Sequence, residues 1–213
     1  MKNYTHIIWD WNGTLLNDIG ASLGSVNDML ARRGMESIDV HRYRECIGTP
    51  IKVFYEQVFE LEKEDYPSLL AEYNEGYLLH LEHCGLTEGA VQALEYFKNR
   101  GARQVIISSS NNEQLQNNTV RYGIADYFDK ILGSADYLAG SKIDRAREYL
   151  EASCDKKSSV LVVGDLEHDA DLAAEIGAEC VLLSSGHEKP ERLKNTKVPI
   201  VSNLNELILF VEN

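Results

Sequence analysis

Three apolar runs in this chain each stop at a polar residue, and this repeated ending is the feature that most constrains the fold. "HIIWD" ends at Asp10, "QVIIS" (104–108) at Ser108, and "SVLVVGD" (159–165) at Gly164-Asp165. Short, continuous, β-rich apolar runs are the mark of strands buried on both faces, as in a parallel sheet covered by helices. Segments of helical period lie between them: Val91, Leu94 and Phe97, a polar stretch at 111–121, another at 143–152, "DADLAAEIGA" and a terminal "NLNELILFVEN". "KIL" (130–132) and "ECVLL" (179–183) read as further strands. The alternation predicts an α/β fold with a Rossmann-like parallel sheet. Residues 17–84 show only helical periodicity, with a break at Gly48-Thr49-Pro50, and read as a helical insert. The predicted organisation is an α/β core of residues 1–16 and 85–213 and a helical cap of residues 17–84.

Ligands of open α/β sheets gather beyond the carboxyl ends of the strands. That rule draws Asp10, Ser108, Asp165 and, one helical turn later, Asp169 to one rim; Lys142 begins the helix preceding the third strand. Singly, each has an ordinary explanation: Asp10 as a turn former, Ser108 as a helix cap, the two later acids as helix-start residues, Lys142 as a solvated side chain. Jointly they describe a site. Crowded carboxylates resist ionisation, and a divalent cation resolves the conflict. Mg²⁺ takes oxygen ligands and shares its shell with phosphate, for which Ser108 and Lys142 are suited.

Bulk properties narrow the partners. The net charge is −13 in 213 residues, with 26% charged and 44% hydrophobic residues, and the pI is about 4.9. Such a surface repels nucleic acid and anionic membranes. Cys46, Cys84, Cys154 and Cys180 form no C-x-x-C pair, which argues against zinc and for reduced thiols. The start has no signal-peptide pattern and no run reaches the length of a membrane span, so a cytoplasmic protein, monomer or homodimer, is expected.

The same residues resemble, in order, the four motifs of the haloacid dehalogenase superfamily. "DWNGT" (10–14) is similar to the first motif, usually Asp-x-Asp-Gly-Thr. "VIIS" (105–108) is similar to the second, Lys142 to the third and "VVGDLEHD" (162–169) to the fourth. The insert, with "CIGTPIKVFYEQVF", resembles the small cap of phosphoglycolate-phosphatase-like members. The resemblance implies Mg²⁺-dependent hydrolysis of a small phosphorylated metabolite through an aspartyl-phosphate on Asp10. It implies Asp10, the Asn12 carbonyl, Asp165 and Asp169 as metal ligands. Ser108, the Ser109 amide, Asn112 and Lys142 would hold phosphate, and Thr14 would brace the nucleophile. Arg44, Gly48 and Lys52 of the cap would meet the leaving group. Trp9 and Trp11 are expected to pack, and His168 to lie on a helix surface.

Asn12 departs from the pattern. In the phosphatases this position is the acid that protonates the leaving group, help worth roughly 10²–10⁴ in rate, or about 3–5 kcal/mol. Three readings follow: a phosphatase that is slow or uses another acid such as His168; carbon–phosphorus cleavage of the phosphonoacetaldehyde hydrolase kind, with Lys52 as Schiff base; or a non-catalytic binder of a phosphorylated ligand. Dehalogenation is disfavoured because it needs no metal. On sequence alone, Asn12→Asp should speed alkyl phosphate hydrolysis at least tenfold.

Overall fold

The computed structural model describes residues 2–48, 50–134, 141–153 and 159–213. Thr49 in the predicted break and Cys154 lie outside these residues. In the core, β1 (His6–Trp9) is central, with β4 (Arg103–Asn111) on one side and β6 (Val160–Gly164) on the other. All three run parallel, with Ile8 opposite both Val105 and Val162. β5 (Lys130–Ser134) extends the sheet beyond β4; β7 (Glu179–Leu183) and β8 (Ile200–Val201) extend it beyond β6. The three strands that carry the predicted site residues are therefore neighbours, which puts Asp10, Ser108 and Asp165 toward one edge; β4 runs on past Ser108 to Asn111.

Alternation along each strand builds two cores. Ile7, Trp9, Ile106, Leu161, Val163 and Val181 face α5 (Ala90–Asn99), α6 (Asn112–Arg121) and α10 (Leu204–Glu212). Ile8, Val105, Ile107, Val162 and Leu182 face α7 (Lys142–Ser153), α8 (Glu167–Ile176) and α9 (Pro190–Asn195). Trp9 and Trp11 are both packing residues, as expected; the Trp9 indole N–H also donates to Gln104 at 3.0 Å. Asn111, not Ser108, caps α6, accepting from the Glu113 and Gln114 amides.

Between β1 and α5 lie α1 (Ile19–Arg32), α2 (Val40–Cys46), α3 (Lys52–Val58) and α4 (Tyr66–Leu81). They enclose their own apolar cluster, including Val26, Met29, Tyr43, Phe54, Tyr55 and Leu69. The chain enters through β2 (Leu16–Asn17) and leaves through β3 (Gly85–Leu86), which pair antiparallel. This two-stranded ribbon was not legible in the sequence. Two residues give no periodicity, and it is the pairing that makes them strands. β8 and α9 were missed for the same reason of length. Among the described residues no helix is long and apolar enough to cross a membrane.

Candidate active site

The amide of Asp10 continues the β1–β6 pairing, donating to Val163 O at 2.8 Å. The chain then turns at Gly13, where φ is +70°. A Cβ there would collide with the Asp165 carboxylate and the His187 ring. Glycine is required both by the backbone angle and by the closeness of these side chains. The turn brings Asp10 beside Asp165 and Asp169, which begin the next strand-to-helix connection. Carboxylate oxygens of the three lie within 4.8 Å of one another, and all three residues are buried.

Lys142 reaches this group from the first position of α7. Its ammonium donates to Asp10 Oδ1 and to Asp169 Oδ1, each at 2.6 Å. Asp169 Oδ2 accepts the amides of Asp165 and Leu166, both at 3.1 Å, which ties the start of α8 to the cluster. Asp165 accepts the His187 amide at 2.6 Å and, more loosely, the Thr14 hydroxyl at 3.3 Å. Burial pushes the Asp10 carboxyl up, against the opposing pull of Lys142, and Asp169 adds to the rise. Asp165 is pushed well up, by burial first and then by Asp10 and Asp169, with His187 opposing. The Lys142 ammonium is held charged: burial disfavours it, but Asp10 and Asp169 together outweigh that cost.

A second polar group adjoins the first. Asp18 accepts from Gly13 N, Asn12 Nδ2, Tyr77 Oη and His187 Nε2, at 2.8, 2.7, 2.8 and 3.0 Å. His187 Nδ1 is 2.9 Å from the Tyr43 hydroxyl. Ser110 donates to Asn12 Oδ1 at 2.5 Å. Burial opposes charge on the His187 ring, but Asp18, helped by Asp165 and Asp10, lifts its pKa to about 9. Asp18 is pulled down in spite of burial, by the charge and hydrogen bond of His187 and by Asn12 and Tyr77.

These shifts predict a pH signature. The raised His187 pKa contributes stability that is full below about 6.5 and is lost as pH rises through about 9. The lowered Asp18 pKa contributes above 3.8 and fails only in acid. At about 1.36 kcal/mol per unit, the His187 share is roughly 3 kcal/mol, or roughly 6–12 °C in Tm. In metal-free buffer the wild type should lose that much between pH 6.5 and 9.5, and Asp18→Asn much less. Parallel melting curves for the two proteins would exclude the ion pair.

Four acids, Asp10, Asp18, Asp165 and Asp169, thus meet two cationic side chains, Lys142 and His187. The unbalanced charge, the all-oxygen donors and the upward-shifted Asp10 and Asp165 fit a hard divalent cation held by Asp10, Asp165 and Asp169.

Residues 7–183 match the family described as haloacid dehalogenase-like hydrolase. The chain belongs to that family. The hydrolase is 28% identical to a phosphoglycolate phosphatase of Cereibacter sphaeroides, over 85% of each chain. It is 26% identical to a phosphoglycolate phosphatase of Pseudomonas fluorescens, over 95% of this chain and 78% of that one. Its fold matches a haloacid dehalogenase-like family hydrolase from Streptococcus pneumoniae with a TM-score of 0.83 at 20% identity, covering 97% and 98% of the two chains.

Asp10, Asn12, Thr14, Lys142, Asp165 and Asp169 of the hydrolase meet in the two polar groups described. Ser108 is buried at the same edge, its Oγ accepting the Ser110 amide at 3.1 Å. Ser109 is exposed, and Asn112, also exposed, accepts the Gly133 amide at 2.9 Å. The three candidates on the insert have other partners. Arg44 donates to Ser185 O at 2.8 Å, Gly48 lies against Val53, and the exposed Lys52 faces Glu56 at 3.8 Å. His168 is half-buried on α8.

Asp18, His187, Tyr43, Tyr77 and Ser110 escaped the sequence reading. His187 follows β7 in "ECVLLSSGHE", so the rule that found Asp165 applies to it as well. Asp18 carried no such signal: before a helix it reads as a cap, and it does stand at the N-cap of α1, yet its side chain caps nothing.

Proposed function

We propose that the protein is a Mg²⁺-dependent phosphatase of a small phosphomonoester, acting through an aspartyl-phosphate on Asp10. The observation that carries this reading is the Lys142 ammonium set between Asp10 and Asp169, beside a third buried carboxylate. Asp10 attacks phosphorus, the bond to the leaving oxygen breaks, and water later cleaves the acyl phosphate to regenerate the carboxylate. Lys142 holds Asp10 in place and spreads the charge of the equatorial oxygens. Ser108, with the Ser109 amide and Asn112, receives the phosphoryl group, and Thr14 braces the rim. Asp10, Asp165, Asp169 and the Asn12 carbonyl would hold Mg²⁺, which would supply Lewis-acid charge to the phosphoryl group.

Residues 17–84 act as a cap on this reading. The cap meets the core through Tyr43 on His187, Arg44 on Ser185, and Arg192 on the carbonyls of Glu45 and Ile47. Leu166, next to Asp165, packs against the cap's apolar cluster. With Asp10 and Lys142 each 7% exposed, the substrate is small and enters when the cap lifts about the β2–β3 ribbon. The phosphoglycolate phosphatases among the relatives act on a substrate of that size and charge. Lys52, exposed and turned to Glu56, lends no support to Schiff-base chemistry.

Mg²⁺ at 10 mM should raise Tm by several degrees at pH 8, since a ligand at 100 times its Kd stabilises by about 2.7 kcal/mol. The gain should shrink as pH is lowered, because protons compete with the metal for the Asp10 and Asp165 carboxyls, whose pKa values burial raises. Phosphate release from a panel of small phosphomonoesters, aryl phosphates included, should be lost in EDTA. No release from any of them, or no shift of Tm at pH 8, would reject the reading.

A further inference from the structure

Asn12 is an amide because of Asp18. Its Nδ2 lies 2.7 Å from Asp18 Oδ2 and 2.9 Å from the Tyr77 hydroxyl, and its Oδ1 accepts from Ser110. A carboxylate at residue 12 would set an oxygen against the Asp18 carboxylate in a site where Asp18 is 1% exposed. Like charges that close do not both ionise. Asp18 itself belongs to the insert side of the boundary, at the start of α1, but three of its four donors, Asn12, Gly13 and His187, belong to the core.

We infer that Asp18 is a positioning residue. It orients the Asn12 amide and the Gly13 turn behind Asp10 while the insert is docked, and residues 12 and 18 form a complementary pair that tolerates exchange of acid and amide but not duplication of either. This rests on the hydrolase reading above. An asparagine at 18 would still accept the Gly13 and His187 N–H groups through its oxygen, and its NH₂ would face an aspartate at 12. On this reading the single Asn12→Asp is a loss, the reverse of the gain expected from the sequence.

The experiment is a mutant cycle on wild type, Asn12→Asp, Asp18→Asn and the double exchange. The readouts are kcat and KM with p-nitrophenyl phosphate and Mg²⁺, and Tm in EDTA. Each single change should lower kcat at least tenfold with KM within about threefold, because a displaced catalytic loop loses geometry before affinity. The exchange should restore kcat to within about tenfold of wild type, and its loss of Tm should be smaller than the sum of the two single losses. Additive effects on both readouts would overturn the pairing. Should a single variant fail to fold, Tyr77→Phe removes only the hydroxyl shared by Asn12 and Asp18. It should lower kcat roughly three- to tenfold, and unchanged kcat would overturn the inference. Should the wild type turn over neither the aryl phosphate nor any other phosphomonoester of the panel, the phosphatase reading fails by itself, and the metal-free Tm cycle still decides the pair.

Discussion

Asp10→Asn should abolish turnover, by at least 10⁴-fold in kcat, while leaving the protein folded. Removal of a nucleophile that acts as a unit with its neighbours costs losses of this order or larger. The variant changes one oxygen to an amide nitrogen and keeps the volume, so the backbone bond from residue 10 to Val163 O is untouched. The electrostatic effect runs the other way from a structural lesion. Burial raises the Asp10 carboxyl above its ordinary range, so its ionisation at neutral pH costs the folded state stability. An uncharged isostere relieves that cost, and in metal-free buffer the melting temperature should equal or exceed that of wild type. Intact-protein mass spectrometry with an aryl phosphate and Mg²⁺ should find a phosphate adduct on the wild type and none on the variant. Adduct formation on Asp10→Asn, or turnover within tenfold of wild type, would place the nucleophile elsewhere.

Lys142→Met should strike both stability and catalysis. The ammonium is the one cation donating to Asp10 and Asp169 among the described residues, and the methionine leaves two buried carboxylates facing each other. Breaking a buried ion pair from one side costs about 3–5 kcal/mol, which for a chain of this length is roughly 10 °C in Tm. Turnover should fall about 10²–10³-fold with the loss of charge opposite the transferring phosphoryl group. Mg²⁺ should recover more Tm in this variant than in wild type, because the dication then answers the charge of all three acids alone. Scanning calorimetry with and without Mg²⁺ measures both terms. A variant as stable as wild type in EDTA would mean that Lys142 is not the counter-charge of the cluster.

The sequence carried the rim of the candidate site well and its surroundings poorly, and particular residues show why. Asp10, Ser108 and Asp165 end apolar runs long enough to be seen, although β4 itself continues to Asn111, and parallel strands must present their carboxyl ends together. Lys142 and Asp169 could be placed because each lies at the start of a helix joined to such a strand. Asn12 was visible as an anomaly without a cause. Its cause is Asp18, six residues away, whose local context is that of an ordinary helix cap. Arg44, Gly48 and Lys52 stood out in the cap, and of these Arg44 reaches the core at Ser185; the side chains that bond the Asn12–Asp18–His187 group from the insert are the tyrosines at 43 and 77, which in the sequence are two of 11.

The pattern of apolar runs and their polar endings determined, by itself, the parallel α/β core, the rim on which chemistry gathers and the acids at its centre. Periodicity and strand polarity are local properties, written in neighbouring residues. Only the tertiary structure decided that an aspartate at the head of the insert meets Asn12 and that a histidine beyond the seventh strand meets that same aspartate. Contact between residues 12, 18, 77 and 187 depends on how the insert docks on the core, and docking is a sum over distant surfaces that no single stretch of chain records.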